Sequence, residues 1–199
     1  MSKSVLYEQD DRIVKITLNR PDTRNALSGD IIEGLVEYLQ KADKDKNVGC
    51  VILTGAGKSF SSGGNLQEIK DMTTKDQMTQ AQLEDWYRFG IQKIPLTINS
   101  IDVPVIAAVN GHAIGAGNDL CTMCDIRIAG EDAKFSESFL RIGIIPGDGG
   151  SWFLPKIIGL ARANEMILTC DVLDANKALH WGLVSKVVPN ENLIVEAQQ

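Results

Sequence analysis

Ala107-Ala-Val-Asn-Gly-His-Ala-Ile-Gly-Ala-Gly-Asn-Asp-Leu-Cys-Thr-Met-Cys-Asp-Ile-Arg-Ile-Ala129 is the stretch on which the fold turns. Its start belongs to a continuous apolar run, Val105-Ile-Ala-Ala-Val109, entered through Pro104, which reads as a short strand buried on both faces. A glycine-bearing turn follows, with a helix starting near Gly115 and carrying Cys121 and Cys124. Ile126-Arg-Ile-Ala129 then reads as the next strand. Strand, turn, helix and strand in succession imply an α/β protein.

Outward from this stretch the same alternation continues. Arg12-Ile-Val-Lys-Ile-Thr-Leu18 largely alternates apolar with polar residues, as a half-buried strand does. Leu27, Ile31, Leu35 and Leu39 recur at a helical interval behind Ser28, a candidate N-cap with Asp30 and Glu33 in the first turns. Cys50-Val-Ile-Leu-Thr54 predicts a second fully buried strand, residues 75–89 a helix, and Pro95 the end or a kink of whatever follows. Residues 161–169 predict a helix and residues 184–188 a strand, while residues 191–199 look like the opening of another helix. No internal repeat, low-complexity linker or composition shift marks a second domain, so residues 1–199 are read as one.

With 199 residues, 44% hydrophobic and 23% charged, the composition is that of a globular chain rather than a disordered or fibrous one. The net charge of −6 argues against nucleic acid as a partner. MSKSVLYEQDDR turns acidic where a secretory peptide needs an apolar core, and no apolar run approaches the roughly 18–20 residues that span a bilayer. Cys50, Cys121, Cys124 and Cys170 sit in apolar segments, which suits reduced core thiols. A cytoplasmic protein without membrane attachment is the expectation.

Two glycine-bearing turns follow buried strands: Phe60-Ser-Ser-Gly-Gly-Asn-Leu66 and Asn110-Gly-His-Ala-Ile-Gly-Ala-Gly-Asn-Asp-Leu120. The first N–H groups of a helix starting near Gly115 lack internal partners and suit an anion or a developing oxyanion. One N–H from each turn would make a two-donor oxyanion hole. The same glycines could equally serve only to make tight strand-to-helix turns. Other motifs fail: Gly57-Lys58-Ser59 ends like a phosphate-binding loop, but Ile52 stands where that loop needs glycine. Cys121-Thr-Met-Cys124 has metal-ligand spacing without a second Cys/His pair, and reads as core packing.

The 107–129 run resembles the signature segment of the crotonase (enoyl-CoA hydratase/isomerase) superfamily. So do Asn19-Arg-Pro-Asp-Thr-Arg-Asn-Ala-Leu27, Phe60-Ser-Ser-Gly-Gly-Asn-Leu66, Gly143-Ile-Ile-Pro-Gly-Asp-Gly-Gly150 and Ala178-Leu-His-Trp-Gly-Leu-Val184, in order along nearly the whole chain. The resemblance implies a spiral of ββα turns, assembly as homotrimers or hexamers, and a C-terminal helical region that this sequence lacks for the most part. It implies an enzyme that stabilises a thioester enolate, with acyl-CoA or enoyl-CoA as substrate and no metal or redox cofactor. By position, the oxyanion donors would be the backbone N–H groups of Ser62 and Ala116. Arg24, Ala26, Gly63, Gly64, Asn65, Leu66, Gly115 and Phe139 would line the CoA and acyl site, with Arg24 near the CoA phosphates. Asn65 replaces the usual aspartate of its motif. Asp85, Trp86, Tyr87 and Phe89 fall in the segment that shapes acyl pockets in relatives.

Hydratases of this superfamily use two glutamates, because adding water requires one proton removed and one delivered. The first position is Asp119 here, one methylene shorter. The second is Phe139, which transfers no proton. Asp148, between glycines in Pro146-Gly-Asp-Gly-Gly150, is a candidate replacement, with helix capping as its alternative reading. Glu137 is a second candidate, or a solvent-facing residue. The expected activity is of hydratase/isomerase type, carried by Asp119 and Asp148. The alternatives are a β-diketone hydrolase or other carbon–carbon lyase, and an acyl-CoA-binding protein without catalysis. His112 and His180 lie elsewhere in the pattern and read as packing or surface residues.

Overall fold

The computed structural model describes residues 4–199, without the side chain of residue 73. Strands β1 (Val5–Asp10) and β2 (Ile13–Leu18) form an antiparallel hairpin, and α1 (Gly29–Lys44) packs against it. Next come β3 (Cys50–Gly55), β4 (Ser59–Ser61), α2 (Leu66–Thr74), α3 (Gln80–Phe89) and α4 (Lys93–Ser100). The signature stretch supplies β5 (Val105–Val109), β6 (His112–Ile114), α5 (Ala116–Met123) and β7 (Ile126–Gly130). After β8 (Lys134–Ser136), a 3-10 turn (Ser138–Ile142) leads into α6 (Gly150–Ile158) and α7 (Leu160–Thr169). Then β9 (Leu173–Asp174), α8 (Ala175–Trp181), β10 (Lys186–Val188) and α9 (Leu193–Ala197) complete the described chain.

The strands divide between two sheets. One has the order β1-β2-β3-β5-β7-β10, parallel from β2 onward. The smaller has the order β4-β6-β8-β9, parallel up to β8. The pairs β3–β4, β5–β6 and β7–β8 each place one strand in each sheet before the chain runs into helical structure, so the ββα unit repeats and winds. The apolar runs end where they do because each strand must hand over to the next sheet within a few residues. Phe60 of β4 and Phe135 of β8 fill the space between the sheets with no exposed surface.

The helical stripe on α1 faces this core through Ile31, Leu35 and Leu39, all fully buried. Ser28 holds the N-cap position in extended geometry, but its hydroxyl bonds the Asp30 carboxylate at 2.5 Å rather than a backbone N–H. Residues 75–89 are not one helix. Thr79 starts α3 with a reciprocal capping box to Gln82, and α2 lies before the break, capped by Asn65. Pro95 neither ends nor blocks α4; it sits in the first turn, where its missing N–H would have had no partner. The four cysteines are unpaired, and Cys121, Cys124 and Cys170 are buried. No helix among the described residues is long and apolar enough to cross a membrane.

Candidate active site

A cavity of about 300 Å³ opens where the β4–α2 turn, the β6–α5 turn, the Ser138–Ile142 turn and α3 converge. Its wall includes Ser62, Gly63, Gly64 and Leu66 from the first turn, Gly115 and Ala116 from the second, and Phe139 and Asp148 from the segment after β8. Trp86 and Tyr87 of α3 close another side, whereas Asp85 and Phe89 point to solvent. A cleft beside it shares Ser62, Gly64 and Leu66 and is lined further by Arg24, Ala26 and Asn65. The sequence-predicted site residues therefore meet at two adjoining hollows, with Asp119 as the exception.

The two turns abut at Gly63. Its φ is +88°, and a Cβ there would lie 2.4 Å from Ile114 O and 3.2 Å from Ala116 N, so only glycine lets the turns approach this closely. Ala116 is the first residue of α5, so its N–H has no partner within the helix. The Ser62 N–H, expected as the other free donor, already donates to Arg24 O at 2.9 Å. The Gly64 N–H, two residues on, has no acceptor among the described residues and lies on the cavity wall.

The chain belongs to the enoyl-CoA hydratase/isomerase family. Its family model matches residues 8–199. A probable enoyl-CoA hydratase of Mycobacterium tuberculosis is 37% identical over 196 residues, covering 98% of this chain and 73% of the relative. Among solved structures, a putative enoyl-CoA hydratase/isomerase from Mycobacterium abscessus superposes with a TM-score of 0.90 at 35% identity, over 98% of this chain and 74% of that one. A monofunctional enoyl-CoA isomerase from M. smegmatis superposes at 0.80 with 35% identity, over 98% and 82%. This family membership makes the cavity the candidate active site of a crotonase-type enzyme.

Within that family frame the acids are rearranged. Phe139 is 6% exposed, and its ring lies 3.8 Å from where a Gly115 Cβ would be, so an apolar plug lies against the β6–α5 turn. Asp148 is the one carboxyl lining the cavity among the described residues. It does not cap α6: Gly149 holds the N-cap position without a side-chain bond, and Asp148 Oδ1 is buried without a partner. Burial raises the Asp148 carboxyl to about 6, and its charge in turn helps raise Tyr87, whose main cause is burial.

Asp119 does not reach the cavity. Nearly one turn into α5, it is fully buried against the start of α6 and lies a layer deeper than Asp148. Burial first, and Glu137 second, raise its carboxyl well above the ordinary range. Glu137 is not solvent-facing: it has no exposed surface and accepts from Asn118 Nδ2 at 2.5 Å. Its sequence neighbours gave no sign of this, since the partner groups come from a different ββα unit. Asn65 spends its side chain on structure, accepting from Gln67 N and Glu68 N and donating to Glu68 Oε1 at 2.8 Å. Among the described residues, no group of three or more His, Cys, Asp or Glu is arranged to hold a metal ion.

Proposed function

We propose that the enzyme moves a double bond within an enoyl-CoA thioester, with Asp148 as the proton carrier. The observation that carries this is that Asp148 is the one carboxyl lining the cavity among the described residues, on a wall where Phe139 occupies the second acid position. Asp148, largely ionised at pH 7, takes a proton from the α or γ carbon. The electron pair delocalises onto the thioester oxygen, and the same carboxyl returns the proton to the other carbon. The N–H groups of Ala116 and Gly64 stabilise the oxyanion, aided by the positive end of α5. Gly64 replaces Ser62 in this role because the Ser62 N–H is already bonded. Hydration by a carboxyl pair needs a second acid, and no second carboxyl lines this wall among the described residues.

The adjoining cleft takes the CoA moiety, with the exposed Arg24 guanidinium toward its phosphates and the backbone at 62–66 along the pantetheine. Self-assembly as trimers or hexamers is also inferred. It is supported by exposed apolar side chains on successive helices, Trp152, Leu160 and Leu168, each more than 60% exposed. Light scattering tests it, and a monodisperse monomer would reject it.

The activity test is incubation with a 3-enoyl-CoA and, separately, with crotonyl-CoA in heavy water, followed by mass spectrometry. Isomerisation with deuterium uptake is expected, with hydration of crotonyl-CoA slower by about 10² or more. Asp148→Asn should remove about 10² or more of the isomerisation rate. Full turnover by that variant would reject Asp148, and rapid hydration would reject the isomerase. Hydrolysis of a free cyclic β-diketone, or tight thioester binding without α-carbon exchange, would instead establish one of the alternative activities.

A further inference from the structure

The oxyanion donor and the base stand on different elements, and some contact must fix the distance between them. Ala116 opens α5, and Asp148 stands two residues ahead of α6. These two helices pack against each other and meet at Gly150, the buried first residue of α6. The backbone of Gly150 is ordinary helix without a positive φ, where alanine is normally the better residue. A Cβ there would nevertheless fall 1.9 Å from Asp119 Oδ1 and 2.6 Å from its Cγ. The Asp119 carboxyl therefore occupies the space that a side chain on Gly150 would need. It cannot swing clear: it has no exposed surface, every residue of α5 is buried, and Glu137 stands within hydrogen-bonding reach of it.

One turn further along the same face of α5, Met123 makes a second contact of this kind. A Cβ on Gly149 would lie 2.9 Å from Met123 Cε, and at φ +121° that residue must be glycine in any case. Around Asp148, Gln92 Nε2 donates to Gly147 O at 3.1 Å and Ser151 Oγ to Pro146 O at 2.6 Å, which braces the segment 146–151 as a unit. Its footing on α5 is Asp119 and Met123. An oxygen-bearing side chain suits the first of these places. Helix α6 has no side-chain cap of its own, and the Gly150 N–H approaches the Asp119 carboxyl without closing to hydrogen-bond geometry.

We infer that Asp119 is a positioning residue: by filling the place of a side chain on Gly150, it locks the segment that carries Asp148 onto α5 and so sets the distance from the base to the Ala116 N–H. This rests on the reading of Asp148 as the base and Ala116 as an oxyanion donor. A misplacement of about 1 Å between such groups costs on the order of 10² in rate. The position keeps an acid for its shape and its oxygen, and moves no proton.

The test is an exchange of volume across this contact. Values of kcat and KM are measured with a 3-enoyl-CoA, and the amide signals of Gly147 and Gly149 are followed by ¹⁵N NMR in the free, glycine-labelled full chain. Gly150→Ala should move both signals and lower kcat by about 10², with KM changed only a few-fold. Adding Asp119→Ala makes room for the new methyl group, so the pair should return the signals toward wild type and kcat to within about tenfold of it. Asp119→Asn keeps the shape and an oxygen, and should lose no more than about tenfold in kcat. A loss of about 10² or more in Asp119→Asn, with unmoved signals, would make Asp119 a proton carrier and overturn the proposal. So would a Gly150→Ala protein with wild-type kcat and signals, or a pair no better than that single variant. Should Gly150→Ala not fold, the pair decides: it must fold and turn over, and an unfolded pair overturns the proposal. If the signals move and recover while kcat stays at the wild-type level throughout, Asp119 keeps its positioning role and Asp148 is not the reaction's base.

Discussion

At Asp148, the chemistry and the strain of burial come from the same placement. A base must be ionised to work, so the isomerisation rate should rise with pH through about 6, where burial has placed this carboxyl, and level off above it. A pH–rate profile of kcat/KM checks this, and a limb near the ordinary carboxylate range would show that Asp148 is not the titrating group. A second residue acts at a distance from the chemistry. Asn25 is fully buried in left-handed geometry (φ +56°), with Nδ2 donating to Ala56 O at 3.0 Å and Ser59 O at 2.8 Å. Its Oδ1 accepts from Arg20 N and its carbonyl from Ser61 Oγ, both at 2.8 Å. It thus ties the segment before α1 to β4 and the connection ahead of it, from which the chain enters the turn that forms the cavity wall. Asn25→Ala leaves several buried groups unpaired and a non-glycine residue at positive φ, for an expected loss of about 2–4 kcal/mol in denaturant unfolding. Asn25 was legible in the sequence only as turn chemistry, because its partners arrive from more than thirty residues away.

Among the elements, those with an internal pattern were legible and those defined by their neighbours were not. β3 and β5 announce themselves as apolar runs because both of their faces are almost wholly buried, and α1 as a stripe because one face meets the core. β1 escaped reading: only Val5 along it is fully buried, so VLYEQD carries no alternation. The short strands of the smaller sheet offer three residues or fewer each, too few for a period to show. The break between α2 and α3 depends on caps, which are visible as Asn65 and as Thr79 followed by Gln82, but compete with a continuous polar pattern. The acids divide the same way. Asp148 stood out between its glycines, whereas the inward turn of Glu137 depends on Asn118 and Asp119 from the preceding unit. The α2 cap bears on function. Asn65→Ala removes the acceptor for Gln67 N and Glu68 N, a loss of about 1 kcal/mol, and frees the turn beside the CoA cleft. Steady-state kinetics should show KM for the thioester rising several-fold with kcat little changed. A fall in kcat alone would mean that the cap positions the oxyanion donors instead.

For the whole molecule, the wound sheets bring carboxyls from separate units into one dry region, and that has a thermodynamic consequence. Asp148 moves from 3.8 to about 6 and Glu137 from 4.5 to about 7 on folding, both chiefly through burial. A carboxyl whose value rises on folding binds its proton more tightly in the folded state. Its stabilising contribution is therefore full below the unfolded value and is lost as pH climbs through the folded value. Stability should accordingly decline across a window from about pH 4 to 7, on top of whatever the surface charges contribute. Asp148→Asn isolates one part of this. The variant carries no charge at any pH, so its stability relative to the wild type should improve by up to about 3 kcal/mol between pH 4 and pH 8. Urea unfolding of both proteins at the two pH values measures that difference directly. A difference that is flat with pH would mean that Asp148 is solvated like a surface carboxylate, and that the site holds no strained base. A difference of the expected size would show that the fold sacrifices stability at neutral pH to keep an ionised group in the cavity, the condition in which it can take a proton from carbon.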